Sequence, residues 1–377
     1  MIIPLCKSTT GLSEINAVKK VLDSGWLTDG PKNIEFEEKF AGYIGAKRAV
    51  TLNSGTSALF LALKALDIKG EVILPSFTFV ASANAVLSAG ATPVFADIDY
   101  DTCNIAPERI AEKITRRTEA IMPVHFAGQS CQMDRIVAMA GKHALALIED
   151  SAETIGGEYK GRKTGSFDTG CFSFFPTKNM TTGEGGMLTT NDDRLADKVK
   201  TLAGHGIRKG TFKRMNESKP WIREASMVGY NFRMSNLLAA IGVEQLRKLG
   251  SMNASRRRHA AYLNKKLMFE GIDMPAESEY AKHVYQMYTI KLTGIDRTMF
   301  IKLLRQRGVG ASVHFDPPVH LQDYYKKRFG YKRGDFPVTE EVAKSIVTLP
   351  MYPGLTKKNL DYMINVIEEV LNKMKGK

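Results

Sequence analysis

Long apolar runs are missing from this sequence. No stretch of about 18 apolar residues occurs in the 377-residue chain, so no membrane span is expected. Cysteine is sparse. Cys6, Cys103, Cys131 and Cys171 are scattered with no C-x-x-C pair, which suggests neither a zinc site nor a disulfide framework and fits a reduced, cytoplasmic setting. The opening "MIIPLCKSTTGLSEINAVKK" has no basic stretch leading into a long apolar core, so no secretory signal is expected. Long repeats, low-complexity tracts and disordered linkers are also absent. No G-K-[ST] follows a glycine-rich turn, and G-x-G-x-x-G does not occur, so neither a Walker loop nor a dinucleotide fingerprint is present.

Charge is present, and it is unbalanced. Lys and Arg number 53 against 40 Asp and Glu, a formal net charge of +13. Such an excess suits nucleic acid, anionic small molecules or plain solubility. The densest basic stretches, "SRRRHAAYLNKK" and "DYYKKRFGYKRGD", are interrupted by apolar or acidic residues and read best as surface helix faces.

The first two-thirds of the chain alternates strand-like and helix-like segments. "RAVTLN", "EVILPS", "TPVFADI", "EAIMPVHFAG" and "LALIEDSA" read as strands. "SALFLALKALD", "SANAVLSAG", "APERIAEKIT" and "MDRIVAMAGKHA" read as the helices between them. That rhythm predicts an α/β fold with a mostly parallel central sheet covered on both faces, whose ligands bind at the carboxyl ends of the strands. Asn53, Ser76, Asp150 and Phe175 fall at such ends and are expected to converge. From about Ser251 the rhythm changes, which predicts a large domain over 1–250 and a smaller α+β C-terminal domain over 251–377.

Three stretches carry chemistry. "NSGTSAL", with Gly55, Thr56 and Ser57, follows a strand and opens a helix, so it is either an ordinary Ser/Thr cap or an anion site at a helix N-terminus. In "IEDSAET", Asp150 ends an apolar strand as a helix cap or as the partner of a buried cation. In "FSFFPTKNMTTGEGG", a strand of alternating bulky residues leads to Lys178. A lysine with an opposed carboxylate and a neighbouring anion site suggests pyridoxal phosphate: the lysine forms the Schiff base, the carboxylate keeps the pyridine nitrogen protonated, and the helix N-terminus takes the phosphate.

These stretches resemble the sugar aminotransferases of the DegT/DnrJ/EryC1/StrS family, which have the fold of the aspartate aminotransferase superfamily, pyridoxal-phosphate fold type I. The resemblance covers essentially the whole chain. "GWLTDGPKNIEFEEKFAGYIG", "NSGTSAL", "PSFTFVASANAV", "PVFADID", "IEDSAET", "FSFFPTKNMTTGEGGM", "GYNFRMSNLLAAIGVEQL" and "SVHFDPPVH" stand in the family's order and spacing.

The resemblance implies roles. Lys178 is the Schiff-base lysine and carries the proton between substrate carbon and cofactor carbon. Asp150 pairs with the pyridine N–H, and Phe79 stacks on the ring. The backbone amides of Thr56 and Ser57, with Gly55 allowing close approach and the Ser173 hydroxyl assisting, hold the phosphate. Asn231 reaches the phosphate from a second subunit, so a homodimer with shared active sites is expected. Glu153 stands near the cofactor's ring oxygen, where relatives often carry Gln; an acid there is protonated or differently engaged. His314, His320, Arg233, Trp26 and Thr28 are substrate-cleft candidates. No metal ligand set, nucleic-acid partner or membrane partner is expected. The implied activity moves the amino group of L-glutamate to a keto-sugar nucleotide. The tail "TTGEGG" leans toward C4 of a nucleoside-diphosphate 4-keto-6-deoxyhexose. Amination at C3, a keto-inositol substrate, or a DNA-binding regulator of the same fold are the alternatives.

Overall fold

The computed structural model describes residues 1–375 except 209 and 216. Its centre is a seven-stranded sheet in the order Arg48–Leu52, Gly186–Thr190, Thr169–Ser173, Ala146–Asp150, Thr118–Ile121, Glu71–Pro75, Thr92–Ala96. Gly186–Thr190 alone runs against the rest: it pairs antiparallel with both its neighbours, and the other pairs shared by residues 71–173 are parallel.

The strand alternation in "FSFF" decides two layers at once. Phe172 and Phe174 point to one face and meet Phe40 at ring-centroid distances of 4.9 and 5.5 Å. Cys171 points to the other face, into the cluster built by helices Gly55–Ala65, Val80–Ala89 and Asp193–Ala203. Both rings are buried, and a slip of one residue would turn them outward, so their burial holds the strand's register.

Two expected elements are shorter than the sequence suggests. The helix over "APERIAEKIT" spans only Pro107–Ala111, because the Thr115 amide donates to Thr118 Oγ1 and Thr118 N–H to the Thr115 carbonyl, a local turn that competes with helix. The strand in "EAIMPVHFAG" ends at Ile121, where Pro123 has no amide to give a ladder; Val124 rejoins Asp150 in a single bridge.

Toward the C-terminus, Ile272–Asp273, Tyr288–Leu292 and Ile346–Leu349 form a three-stranded antiparallel sheet. Helices Arg297–Gln306 and Lys357–Lys375 pack on it, and Ile3 from the N-terminal segment joins that core. The 31-residue helix Asn236–Lys266, capped by Ser235 Oγ on the Leu238 amide, runs unbroken through position 250. Its first half packs on Phe36, Phe174 and Met234, and its second half on the C-terminal core.

The N-terminal helix Leu12–Ser24 is fastened to this long helix by one carboxylate. Glu14 lies 2.6 Å from Lys248 Nζ and 2.8 Å from Gln245 Nε2, and it caps the Gly11 amide at 2.9 Å. Burial pushes its acid up, but Lys248, Gln245 and the Gly11 amide outweigh that and lower it to about 2. A depressed folded value gives stability that is present above the ordinary glutamate range and is lost as pH falls toward 2. Glu14→Gln is expected to cost ~2 kcal/mol at pH 7 and much less near pH 2.5, read as the difference in urea midpoints at the two pH values.

Candidate active site

At the carboxyl edge of the sheet lies a cavity of about 430 Å³. The strand Ala146–Asp150 delivers Asp150 to its floor, 5% exposed. Ser82, one turn into the helix that follows Phe79, donates to Asp150 Oδ2 at 2.7 Å, and the Ala152 amide reaches Oδ1 at 3.2 Å. Burial raises the Asp150 carboxyl above its ordinary value; Ser82 and Ala152 oppose that, the charge of Glu153 adds to it, and Lys178 lowers it.

Lys178 sits in the tight turn after Thr169–Ser173, not on the strand itself, with its amide donating to the Phe175 carbonyl at 2.9 Å. Its Nζ is 3.3 Å from Glu153 Oε1, and Glu153 Oε2 accepts the Ala127 amide at 3.1 Å. Glu153 is thus engaged with the lysine as well as the backbone. His314 lines the same cavity, with Nδ1 2.7 Å from Thr348 Oγ1. Burial lowers the His314 imidazole's proton affinity; the Glu153 charge works against this and Lys178 with it.

Helix Gly55–Ala65 points its N-terminus at the cavity. The Gly55 and Thr56 amides open the helix, where no preceding turn supplies an acceptor. The Ser57 amide is already capped by Ser54 Oγ at 3.1 Å, and Ser57 Oγ donates to Asn53 Oδ1 at 2.6 Å. Ser57 therefore shapes the turn, and the free donors are its two predecessors. The close approach needs glycine twice. A Cβ on Gly55 would meet Ser173 Cβ at 2.8 Å, and one on Gly186 would meet the Ser54 carbonyl oxygen at 2.2 Å. Ser173 and Phe79, the latter 62% exposed, complete the lining.

Other sequence-derived candidates lie elsewhere. His320 is fully buried, with Nδ1 2.6 Å from Ser76 Oγ and Nε2 3.3 Å from Glu340. It and Ser76 fasten the C-terminal part to the end of strand Glu71–Pro75 and do not line the cavity. Asn231 accepts from Arg233 at 3.0 Å, and Arg233 Nη2 is 3.2 Å from His205 Nε2; this group is outside the cavity of its own chain. Trp26 donates to the Asp29 carbonyl and meets Phe212 edge-on, and Thr28 is exposed; neither lines the cavity. Sequence reasoning missed Ser82, Cys6 and Gln286. Ser82 had a signal, its place in the first turn after Phe79; Cys6 and Gln286 arrive by long-range packing alone.

Beneath the site lies a buried His–Glu pair. Glu149 accepts the Gly165 and Phe167 amides, each at 2.7 Å, and lies 3.1 Å from His125 Nε2. The Cys131 amide donates to His125 Nδ1 at 3.1 Å, so that nitrogen carries a lone pair and Nε2 carries the hydrogen. The pair is a neutral imidazole donating to a carboxylate. His125 in turn donates its amide to the Asp150 carbonyl at 3.1 Å.

The chemistry of this donor set fits one group. A buried carboxylate, a lysine amine and two open amides at a helix N-terminus, gathered at the edge of a mostly parallel sheet, match the needs of a pyridoxal-phosphate-dependent transferase of fold type I. The chain belongs to the DegT/DnrJ/EryC1/StrS aminotransferase family, whose model matches residues 9–368. It is 42% identical to the spore coat polysaccharide biosynthesis protein SpsC of Bacillus subtilis, over 98% of this chain and 97% of that protein. Among solved structures it is similar to a sugar aminotransferase of Streptococcus pneumoniae described as putative, Spr1654, in its PMP form (TM-score 0.93, 28% identity, 99% of this chain and 100% of that one). It is also similar to Helicobacter pylori PseC, an aminotransferase involved in the biosynthesis of pseudoaminic acid (TM-score 0.92, 28% identity, 99% and 100%). The protein is a sugar aminotransferase, and its cofactor is pyridoxal phosphate. No helix among the described residues is long and apolar enough to cross a membrane.

Glu149→Gln tests the buried pair. An amide NH₂ would face at least one of the three N–H donors now held by the carboxylate, leaving buried donors unpaired. A loss of ~2–3 kcal/mol is expected, read as a lower urea midpoint with an unchanged slope.

Proposed function

We propose that this enzyme transfers the amino group of L-glutamate to a keto-sugar nucleotide, at C4 of a nucleoside-diphosphate 4-keto-6-deoxyhexose. The observation that carries the chemistry is the convergence of Lys178, Asp150 and Glu153 in one cavity at the strand ends, facing the open amides of Gly55 and Thr56. The sugar class is supported by relatives whose names tie them to polysaccharide and pseudoaminic acid biosynthesis. The lean toward C4 rests on the "TTGEGG" tail after Lys178.

The cofactor, when bound, supplies an electron sink for the carbon that loses its proton. Asp150 would hold the proton on the ring nitrogen, and its bond from Ser82 keeps the accepting oxygen in place. The Gly55 and Thr56 amides with the Ser173 hydroxyl would hold the phosphate, and Phe79 would cover one face of the ring. Lys178 Nζ would take the proton from the donor's α-carbon and hand it on from the same face, as general base and then general acid. Glu153 Oε1, 3.3 Å away, keeps that amine directed into the cavity.

The working form is a homodimer in the cytoplasm. Asn231 and Arg233 lie outside their own chain's cavity, as residues serving a neighbouring site would. Phe79, Phe175, Trp221 and Val228 leave apolar side chains 62%, 46%, 71% and 85% exposed, surface that a second copy would cover.

The test of function is a split reaction. The enzyme is aminated with glutamate, freed of excess donor, and offered 4-keto and 3-keto sugar nucleotides and a keto-inositol separately. Return of the original cofactor absorbance with the 4-keto compound is expected. Return with the 3-keto compound alone rejects C4, and return only with keto-inositol rejects the sugar-nucleotide reading. Borohydride reduction before donor is added should place the label on Lys178.

Asp150→Asn checks the ring-nitrogen assignment. The amide keeps the shape but not the charge, and turnover should fall at least about a hundredfold, ~2.7 kcal/mol of barrier. Turnover near that of the parent enzyme would assign this role to another group.

A further inference from the structure

Lys178 is held in place largely by groups that lie outside its own loop. Of the three carbonyls before it, one closes the turn itself and two are claimed from elsewhere in the chain. The Phe175 carbonyl takes the Lys178 amide, the Pro176 carbonyl takes Ser8 Oγ at 3.0 Å, and the Thr177 carbonyl takes Gln286 Nε2 at 2.9 Å. On the other side, Asn179 Nδ2 donates to Asn253 Oδ1 at 2.8 Å and to the Val284 carbonyl at 3.2 Å. Asn253 also looks the other way: its own Nδ2 donates to the Ile155 carbonyl at 2.9 Å, two residues past Glu153. One buried amide on the long helix thus ties the segment that carries Asp150 and Glu153 to the segment that carries Lys178.

The same helix face carries Arg256, one turn on and 2% exposed. Its Nη1 donates to the carbonyls of Tyr285, Gln286 and Met351 at 3.3, 3.2 and 2.9 Å. That fixes the backbone of Gln286 and therefore where its side chain meets Thr177.

We propose that Asn253 and Gln286 are positioning residues for the amino-transfer reaction, setting the place of Lys178 Nζ relative to Asp150 and Glu153. The reasoning is geometric. A turn whose carbonyls are exposed to water has several conformations of similar energy. Here two of the three are paired with side chains more than 100 residues away in sequence, and the residue after the lysine is bonded into the buried helix face. Reacting groups held within a near-attack geometry lose rate steeply with displacement. Gln286 also borders the cavity, so a direct substrate contact is the competing role that the test separates.

The inference rests on Lys178 as the reacting amine. The variants are Gln286→Met, which keeps length and removes the donor, and Asn253→Ala, with Ser251→Ala on the exposed side of the same helix as control. Three quantities are measured on each: kcat and KM for both substrates, the absorbance band of the holoenzyme, and the acetylation rate of Lys178 in cofactor-free protein by mass spectrometry. The expected result is kcat lower by about tenfold or more in both variants, KM for the sugar within about twofold, a shifted or broadened cofactor band, and an altered Lys178 acetylation rate. The control should match the parent in all three. Unchanged kcat and acetylation in Gln286→Met would overturn the proposal even if Asn253→Ala fails to fold. A raised KM with kcat kept would make Gln286 a substrate contact instead. If borohydride labels a lysine other than Lys178 in the parent, the assignment of the reacting amine fails, which is a separate outcome.

Discussion

Asp150 ends a strand that has parallel neighbours on both sides, and its carboxylate is removed from water with a hydroxyl and an amide as its bonded donors. Two neutral donors do not compensate a buried negative charge, so burial leaves this acid with a raised proton affinity and a standing demand for a cation or a proton. A protonated ring nitrogen would answer that demand, and in return the carboxylate would keep the ring electron-poor. In the proposed reaction the fold's holding of an acid in this place is what the cofactor's ring nitrogen depends on. The His125–Glu149 pair, turned away from the cavity beneath the same strand, takes up the next carboxylate along with three N–H donors. Adjacent acids on one strand therefore have opposite characters: Glu149 is saturated and structural, Asp150 undersupplied and reactive.

The two halves of the chain divide the work. The parallel sheet brings the carboxylate and the helix N-terminus to one edge, which is what open α/β sheets do for any ligand. The reversed strand Gly186–Thr190 turns the chain back at the same edge, so the lysine turn is the head of a hairpin instead of the start of a crossover helix. The C-terminal part lines one side of the cavity, with Gln286, His314, Phe315 and Thr348 among its residues there, and Gln286 also supports the lysine turn from behind. Its attachment is also polar: Asp97 accepts the amides of Val338 and Thr339 at the start of helix Pro337–Ser345, and Ser76 meets His320.

Much of this was legible in the sequence, for reasons that can be named. Short apolar runs ending in Asn53, Ser76 and Asp150 announce strand ends, because the polar residue falls where the apolar run gives way to the turn at the sheet's edge. The alternation in "FSFF" puts Phe172 and Phe174 on one face, and both are buried, while the third ring, Phe175, is 46% exposed. Composition and spacing alone did not assign Lys178; a strand-end lysine is ordinary until Asp150 and "NSGTSAL" are seen in register with it. The failures have two causes, one long-range and one local. His320 was placed in the cleft, yet its partners Ser76 and Glu340 hold it in the interior; Ser76 is 244 residues away, and no local pattern predicts such a pairing. Ser57 was expected to offer its amide, but Ser54, three residues earlier, takes it in an ordinary cap. Gln286 and Asn253 give no local signal, since each matters only through a carbonyl or amide brought to it by the fold.

The helix Asn236–Lys266 has a mechanical consequence. At about 1.5 Å per residue it is a rod of about 46 Å, with no proline and no break along its length. A continuous rod that packs in both clusters offers no hinge of its own at the point where one cluster gives way to the other. Admission of a bulky substrate would then fall to the rim, where an irregular segment carries His314 and Phe315. The enzyme is in this sense a stiff frame with a soft doorway, and changes in what it admits can accumulate at the doorway without disturbing the spacing of its reacting groups.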